Sequence, residues 1–473
     1  MHLLLLLTIL LTALIVLGDE SSAPGTVAVE PVDVESKKAE TSHYYSVALT
    51  PTLWQSLEIG YEISKWGMDS MLSGGKAVLE TLGVGDLCPF SEDASTKVEK
   101  ALWARIKSQP LALDSIISAI SVWDFAAESG QHQPLVMALT GSTGVGKTET
   151  AWVIAEALLA NRIQVSGGSS MVPRGFVNLR GEDFSDGSVP MDRYHSAIKK
   201  TLLKTLRECS GNAVVLFDEI QKVVPGTLDV LLEPMSEHPV LSYYSSGQAA
   251  TVDTSKVVWI LVTDIGADSI QDVILSYKKR DEVPLGALQS SVKQALDNEW
   301  EKLKFAKVID RVVPYLPMSP HEMLQVLELK LHEFNSTFAG EKFSSLCTSP
   351  ELRRHLVGRQ FITYGNYSNP EGLEEGTWHY YADYGARNLE HDGGPLHSLK
   401  SRLYRHLKPW QPSRAISISY DKGEKQVVLK WCHSCRMSAD NGHRRVLPNC
   451  LARSSALTCV SIDVTEEPTI RLH

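Results

Sequence analysis

Residues 141–148 read GSTGVGKT, with the apolar run PLVMALT in front and ETAWVIAEALLA behind. Few local patterns restrict a fold as tightly. Gly141, Gly144 and Gly146 let backbone N–H groups converge on an anion, and the helix that follows adds its positive end. The stretch fits G-x-x-x-x-G-K-[ST] in full. Gly141, Ser142, Thr143, Gly144, Val145, Gly146, Lys147 and Thr148 are therefore expected to cradle the phosphates of a nucleotide. Lys147 would reach the β and γ phosphates, and the Thr148 hydroxyl would ligate Mg²⁺. An ordinary glycine-rich turn is the competing reading, and the flanking strand and helix patterns speak against it.

From about residue 96 strand and helix patterns alternate. Strands are expected at 134–140, 175–181, 213–219, 257–263 and 311–317, with helical periodicity between them, as in Ala151, Ile154, Ala155, Leu158 and Leu159. That alternation predicts an α/β fold, a parallel sheet covered on both sides, with ligands beyond the carboxyl ends of the strands. The strand VVLFDE (214–219) ends in two acids. Asp218 would hold Mg²⁺ and Glu219 would orient and polarise an attacking water, as ATP hydrolysis requires. A third strand ends in Leu261-Val262-Thr263-Asp264, where Thr263 or Asp264 would position that water; a plain strand-end turn is the alternative. Beyond Ser319 the pattern becomes mainly helical (320–334 and 396–407), followed by a hairpin around Asp421-Lys422-Gly423-Glu424.

The chain has 473 residues, 22% of them charged, and a formal net charge of −10. That balance argues against nucleic acid as the main partner, since phosphate backbones are bound by excess Lys and Arg. The N-terminus, MHLLLLLTILLTALIVLGDESSAPG, is apolar over too few residues for a typical span and has no Lys or Arg before Lys37. A secretory signal peptide over 1–18 is the expectation, with an uncleaved anchor as the alternative. Either would place the body of the chain in the secretory lumen. Sequons at Asn335 and Asn366 would then accept glycans, and four of the seven cysteines, Cys432, Cys435, Cys450 and Cys459, crowd the C-terminus. Structural disulfides, a redox dithiol, zinc and idle thiols all remain open for that tail. The domain plan reads 1–18 signal, 19–95 polar linker and N-terminal helical region, 96–318 nucleotide domain, 319–431 lid, and 432–473 tail. The helical region within 53–82 either packs on its neighbour or touches a membrane surface peripherally.

GSTGVGKTE, LFDEIQK and Tyr384-Gly385-Ala386-Arg387-Asn388-Leu389 resemble the Clp-type AAA+ ATPases, and within that group the torsins. The stretches LVTDIGADSIQDVILSYKKRD and VIDRVVPYLPMSPHEMLQVLELKL support the second likeness. The resemblance implies an αβα nucleotide domain with a small, mainly helical lid, ATP between them, and an address in the endoplasmic reticulum and nuclear envelope lumen. It puts Asp264 at the first sensor, usually Asn. An ionised Asp cannot donate a hydrogen bond, which shifts that task to Thr263. It puts Arg387 at the second sensor, where it would clamp the γ-phosphate, although Gly393-Gly394-Pro395 would break the helix that normally follows. The Gly423-Glu424-Lys425 turn imitates a torsin motif, but the hairpin pattern accounts for it. Torsins usually carry Asn where this chain keeps Thr148.

Two expected features are missing. No aromatic pore loop of Gly-Tyr-Val-Gly kind precedes the acidic strand, and only Phe184 or Tyr194 could substitute. The arginine-finger position falls on Val308 within Lys307-Val308-Ile309-Asp310, leaving Lys307 or Arg311 to compensate. Torsins share that gap and receive the arginine from a membrane-anchored activator. Three readings follow: a torsin-like remodeller of protein clients that needs such an activator within a homo- or hetero-oligomer, a self-sufficient Clp-like unfoldase ring, and a nucleotide-gated binding scaffold.

Overall fold

The computed structural model describes residues 87–164, 171–245, 248–277, 280–299, 305–366, 380–432, 436–437, 457–458 and 470–472. The expectations for a signal peptide, the linker, the 53–82 helix and the chemistry of the cysteine tail fall outside these residues.

Five strands form the central sheet: β1 (Leu135–Thr140), β2 (Phe176–Arg180), β3 (Ala213–Asp218), β4 (Val257–Thr263) and β5 (Arg311–Pro314). All neighbours are parallel, in the order β2-β3-β4-β1-β5. β1, β3 and β4 are apolar almost throughout because each buries both faces. Leu135, Met137 and Leu139 of β1 enter one core while Val136 and Ala138 enter the other. Trp259, in the middle of β4, is fully buried in the second core.

Helices α1 (Ala94–Arg105), α2 (Pro110–Glu128) and α3 (Lys147–Leu158) cover the first face, through residues such as Val98, Leu102, Ile116, Ile120 and Ile154. Helices α4 (Met191–Glu208), α5 (Ala267–Leu275) and α6 (Leu285–Glu299) cover the second, through Ile198, Leu202, Ile270, Leu288 and Val292. A disulfide between Cys88 and Cys209 ties the segment before α1 to the end of α4. Two short antiparallel hairpins, Arg162–Gln164 with Met171–Pro173 and Val240–Ser245 with Gln248–Asp253, flank α4 and the β2 edge.

The lid opens with α7 (Pro320–Phe338). Ser319 caps it: its side chain accepts from His321 N, and Glu322 reaches back in a capping box, with Pro320 at the first helical position. Such a cap contributes about 1 kcal/mol. β6 (Phe343–Thr348) and α8 (Pro350–Leu356) follow, then a single turn α9 (Arg387–Glu390), α10 (Pro395–His406), and the hairpin β7 (Gln411–Asp421) and β8 (Gln426–Cys432). Gly394 and Pro395 do interrupt the helix after α9, ending it after one turn and starting α10. The lid thus joins helices to a four-stranded sheet, in which β6 lies parallel to β7 and β8 antiparallel to β7. Its fourth strand is β9 (Ile470–Leu472), which pairs with Val427–Leu429. Residues 470–472 of the C-terminal segment thus complete the lid sheet. Met323, Leu327, Leu396 and Ile418 belong to the same core as the first face of the large sheet, so lid and nucleotide domain share packing.

One glycosylation expectation fails in this fold. Asn335 lies inside α7, 4% exposed, with its side-chain oxygen accepting from Leu346 N at 2.7 Å. An acceptor amide held that way is closed to a glycan. The side chain of Asn366 lies outside the described residues.

Candidate nucleotide site

The site is built at the carboxyl ends of β1, β3 and β4. β4 lies between β1 and β3, as its polar end requires. Residues 141–146 leave β1, and Gly146, at φ 104°, caps the start of α3 in a conformation that costs an L side chain strain. The loop's N–H groups and the first turn of α3 thus face one cleft of about 450 Å³.

Lys147 is 6% exposed and anchors this floor. Its amine donates to the carbonyls of Gly141 and Ser142 and to Asp264 Oδ1, the last at 2.8 Å. Burial lowers its pKa, partly opposed by the Asp264 charge. The other Asp264 oxygen accepts from the Thr143 hydroxyl at 3.0 Å. Asp264 therefore binds the phosphate loop directly. Its neighbour does not: Thr263 is fully buried, and its hydroxyl donates to Gln221 Oε1 at 3.1 Å while accepting from Ile265 N. The expectation that Thr263 donates to a lytic water is corrected here, because that hydroxyl is spent beneath the site. Gln221, unnoticed in the sequence, is what occupies it.

Thr148 donates to both Asp218 oxygens, at 3.2 and 3.1 Å. Burial raises the Asp218 carboxyl, with the Thr148 hydrogen bond working against it. A hydroxyl and a carboxylate side by side are hard oxygen donors that suit Mg²⁺. Glu219 sits next to them in a left-handed backbone conformation (φ 54°), and its carboxylate is ion-paired with Lys222, which also reaches Glu182 at 2.7 Å.

The lid closes over the loop through backbone. Ala386 N donates to Gly144 O at 2.9 Å, and a side chain at Gly144 (φ 80°) would collide with the Tyr384 carbonyl. Only glycine tolerates both the approach and the angle. This contact puts the exposed Arg387 in the cleft wall, close enough for its charge to press on Lys147. Ile106, Met318, Val326 and Leu329 line an apolar end of the cleft. Scattered over the end cap of α1, the β5–α7 segment and α7, they leave no contiguous signal in the sequence. An aromatic base fits such a wall, with the phosphates at the polar end.

The pore-loop substitutes are not available. Phe184 and Tyr194 are each 7% exposed, packed edge to face in the second core, and the Tyr194 hydroxyl donates to Asp186 O. At the amino end of β5, Val308 packs against the second core, Lys307 is exposed, and Asp310 accepts from Val136 N at 2.8 Å. Arg311 lies in a crevice of about 260 Å³ beside α2, with its Nε buried and lacking a hydrogen-bond partner.

Comparison with known proteins agrees with the geometry. The profile of the AAA domain (Cdc48 subfamily) matches residues 133–302. That stretch holds the phosphate loop, the acidic end of β3 and the end of β4. Mitochondrial disaggregases are similar, from Bos taurus at 24% identity over 72% of this chain and 49% of the relative, and from Homo sapiens at 25% over 57% and 40%. Chaperone protein ClpB 2 of Thermosynechococcus vestitus is 27% identical over 56% of this chain and 28% of its own length. The chain thus spans about half or less of the length of the curated relatives it matches. An AAA+ fold of Clp type and ATPase chemistry are what these likenesses and the cleft have in common.

Proposed function

We propose that this chain couples ATP hydrolysis to the remodelling of protein complexes, and that it does so slowly unless a partner supplies an arginine. The observation that carries the ATPase half is the joined cleft: Lys147 with Asp264 on the floor, Thr148 with Asp218 beside it, and Arg387 brought over the loop by the lid. Lys147 and the loop N–H groups would hold the phosphates. Thr148 and Asp218 would hold Mg²⁺, which when bound neutralises charge that builds on the transferred phosphoryl group. Glu219 would take the proton from water, and Arg387 would meet the γ-phosphate from the lid.

The dependence on a partner rests on the amino end of β5. A finger arginine there contributes about 10³–10⁵ in rate. Val308 offers no charge, and the Arg311 side chain is held in a crevice beside α2. The torsin resemblance of the sequence makes a membrane-anchored activator the natural source. The apolar N-terminus and the Cys88–Cys209 disulfide support an oxidising lumen, that of the endoplasmic reticulum and nuclear envelope. A second reading is a self-sufficient ring of disaggregase type, favoured by the names of the relatives. Single-turnover hydrolysis by the full chain alone distinguishes them: slow turnover fits the first, and brisk partner-free turnover fits the second. A Glu219→Gln trap, holding ATP without cleaving it, should retain the partners and clients for identification.

A further inference from the structure

Beside the outer edge of the central sheet runs a groove of about 1180 Å³, between α4, β2 and the Tyr243–Tyr244 strand. Five cations line it: Arg174, Lys199, Lys200, Lys204 and Arg207. Glu208 is the one acid in the lining. Among the described residues, none of the five meets a carboxylate at salt-bridge distance. Lys199 donates instead to Ser242 O at 2.9 Å, and Arg207 lies over the Tyr243 ring at 4.6 Å. In a chain whose acids outnumber its Lys and Arg by 56 to 46, five cations lining one groove beside a single acid are a local exception. An excess of positive charge of this kind attracts an anionic occupant.

The shape narrows that occupant. β2 is an edge strand, paired with β3 alone. Gly175 O accepts from Val214 N, so the two-residue repeat of the ladder turns the backbone groups of Phe176, Asn178 and Arg180 to the open side. An open edge is a template for another extended chain. Tyr244, 83% exposed, supplies an aromatic surface at the rim. Cations along one wall, free strand hydrogen-bonding groups along the other and an exposed ring together suit one class of ligand.

We infer that this groove binds an acidic polypeptide segment in extended form, added alongside β2 with its carboxylates facing Lys200 and Lys204 of α4. Side chains of an added strand alternate, so every second residue would face the same wall. Binding would use charge for attraction and the β2 edge for direction. It needs no nucleotide chemistry, and it stands or falls apart from the ATPase reading.

The test uses the full chain and a fluorescent decapeptide of alternating Glu and Thr, read by anisotropy. A Lys/Thr counterpart and a Glu/Thr peptide N-methylated at every backbone nitrogen are the controls. The acidic peptide should bind, the basic one should not, and the N-methylated one should lose roughly tenfold or more in affinity. The double variant Lys200→Glu/Lys204→Glu should lose roughly tenfold as well, with thermal midpoint and ATP binding unchanged to show that it is folded. Equal binding of the two charge types, or an unaffected double variant, would overturn the inference. So would undiminished binding of the N-methylated peptide, since strand addition would then play no part. A thymidine oligonucleotide or phosphatidylserine vesicles that bind this groove more tightly than the peptide would assign it to another class of polyanion and equally defeat the proposal. Should the double variant not fold, the N-methylated comparison on the unaltered chain decides by itself.

Discussion

The nucleotide cleft and the groove beside β2 both gather cations, and they hold them in opposite ways. In the cleft Lys147 is buried against Asp264, Arg105 is bound to Glu149 at 2.6 Å and to Glu156, and Lys330 is paired with Glu333 and Glu390. Along the groove the cations have no carboxylate partners among the described residues. A ligand in the cleft must therefore exchange partners with groups already matched, so geometry selects it. A ligand in the groove simply adds missing charge, so sign selects it. Lys107, which donates to the Trp103 carbonyl, and Arg387 are the cleft cations without a carboxylate among the described residues, and Arg387 sharpens the contrast. It is exposed and lacks an ion-pair partner among the described residues, yet it is fixed in the cleft by the backbone contact between Ala386 and Gly144.

Five substitutions probe this difference, taken from the largest expected effect down. Glu219→Gln keeps the shape of the cleft but removes its base, so turnover should fall by about 10²–10⁴ with ATP affinity nearly unchanged; steady-state rates and calorimetric titration read the two separately. Lys147→Ala removes a charged donor from a buried position and should weaken ATP binding by about 100-fold, two charge-assisted hydrogen bonds at about 1.5 kcal/mol each. If binding survives, the matched network is scaffolding and not a phosphate site. Arg387→Ala deletes the unpaired cation, with an expected loss of about tenfold in turnover and no loss of thermal stability, because no ion pair is broken. A fall in melting temperature would show that Arg387 serves the fold.

Lys222→Met tests whether a matched charge restrains the Glu219 carboxylate. The pair is partly exposed, at 42% and 31%, so solvent screens it. Freeing Glu219 should raise turnover by no more than about fivefold, and a fall would mean that Lys222 positions the carboxylate.

The lid supplies the smallest effect. Burial works to raise the Glu390 carboxyl, but hydrogen bonding to Lys400 and the charge of Lys330 outweigh it and hold it below its ordinary 4.5. A depressed carboxyl contributes stability that is present above 4.5 and lost as pH falls through the lower folded value. Lys400→Met should lower the thermal midpoint near neutrality by the equivalent of about 1 kcal/mol or less. Its gap to the parent should close in acid; a pH-independent gap would point to lost packing instead.

Local order determined a good deal of this protein. The phosphate loop, the acidic end of β3, the five parallel strands and the helices at 320–338 and 395–406 are legible because each depends on neighbours in the chain: glycines where N–H groups must converge, unbroken apolar runs where both sheet faces are buried, Ser319 and Glu322 where a helix must be capped. What escaped reading is whatever needs two distant segments to meet. Thr263 and Asp264 are adjacent in sequence, and only the packing of Gln221 against β4 turns one hydroxyl away while the other side chain meets Lys147. Asn335 carries a glycosylation signal, and only the approach of β6 buries it. Phe184 and Tyr194 look available until the second core claims them. The cations of the groove lie on α4 and beside β2, and their shared lack of carboxylate partners among the described residues becomes visible only when those elements stand side by side. Spacing along a chain encodes backbone geometry; which polar groups remain unsatisfied is settled by desolvation and contact, and those exist only in the folded molecule.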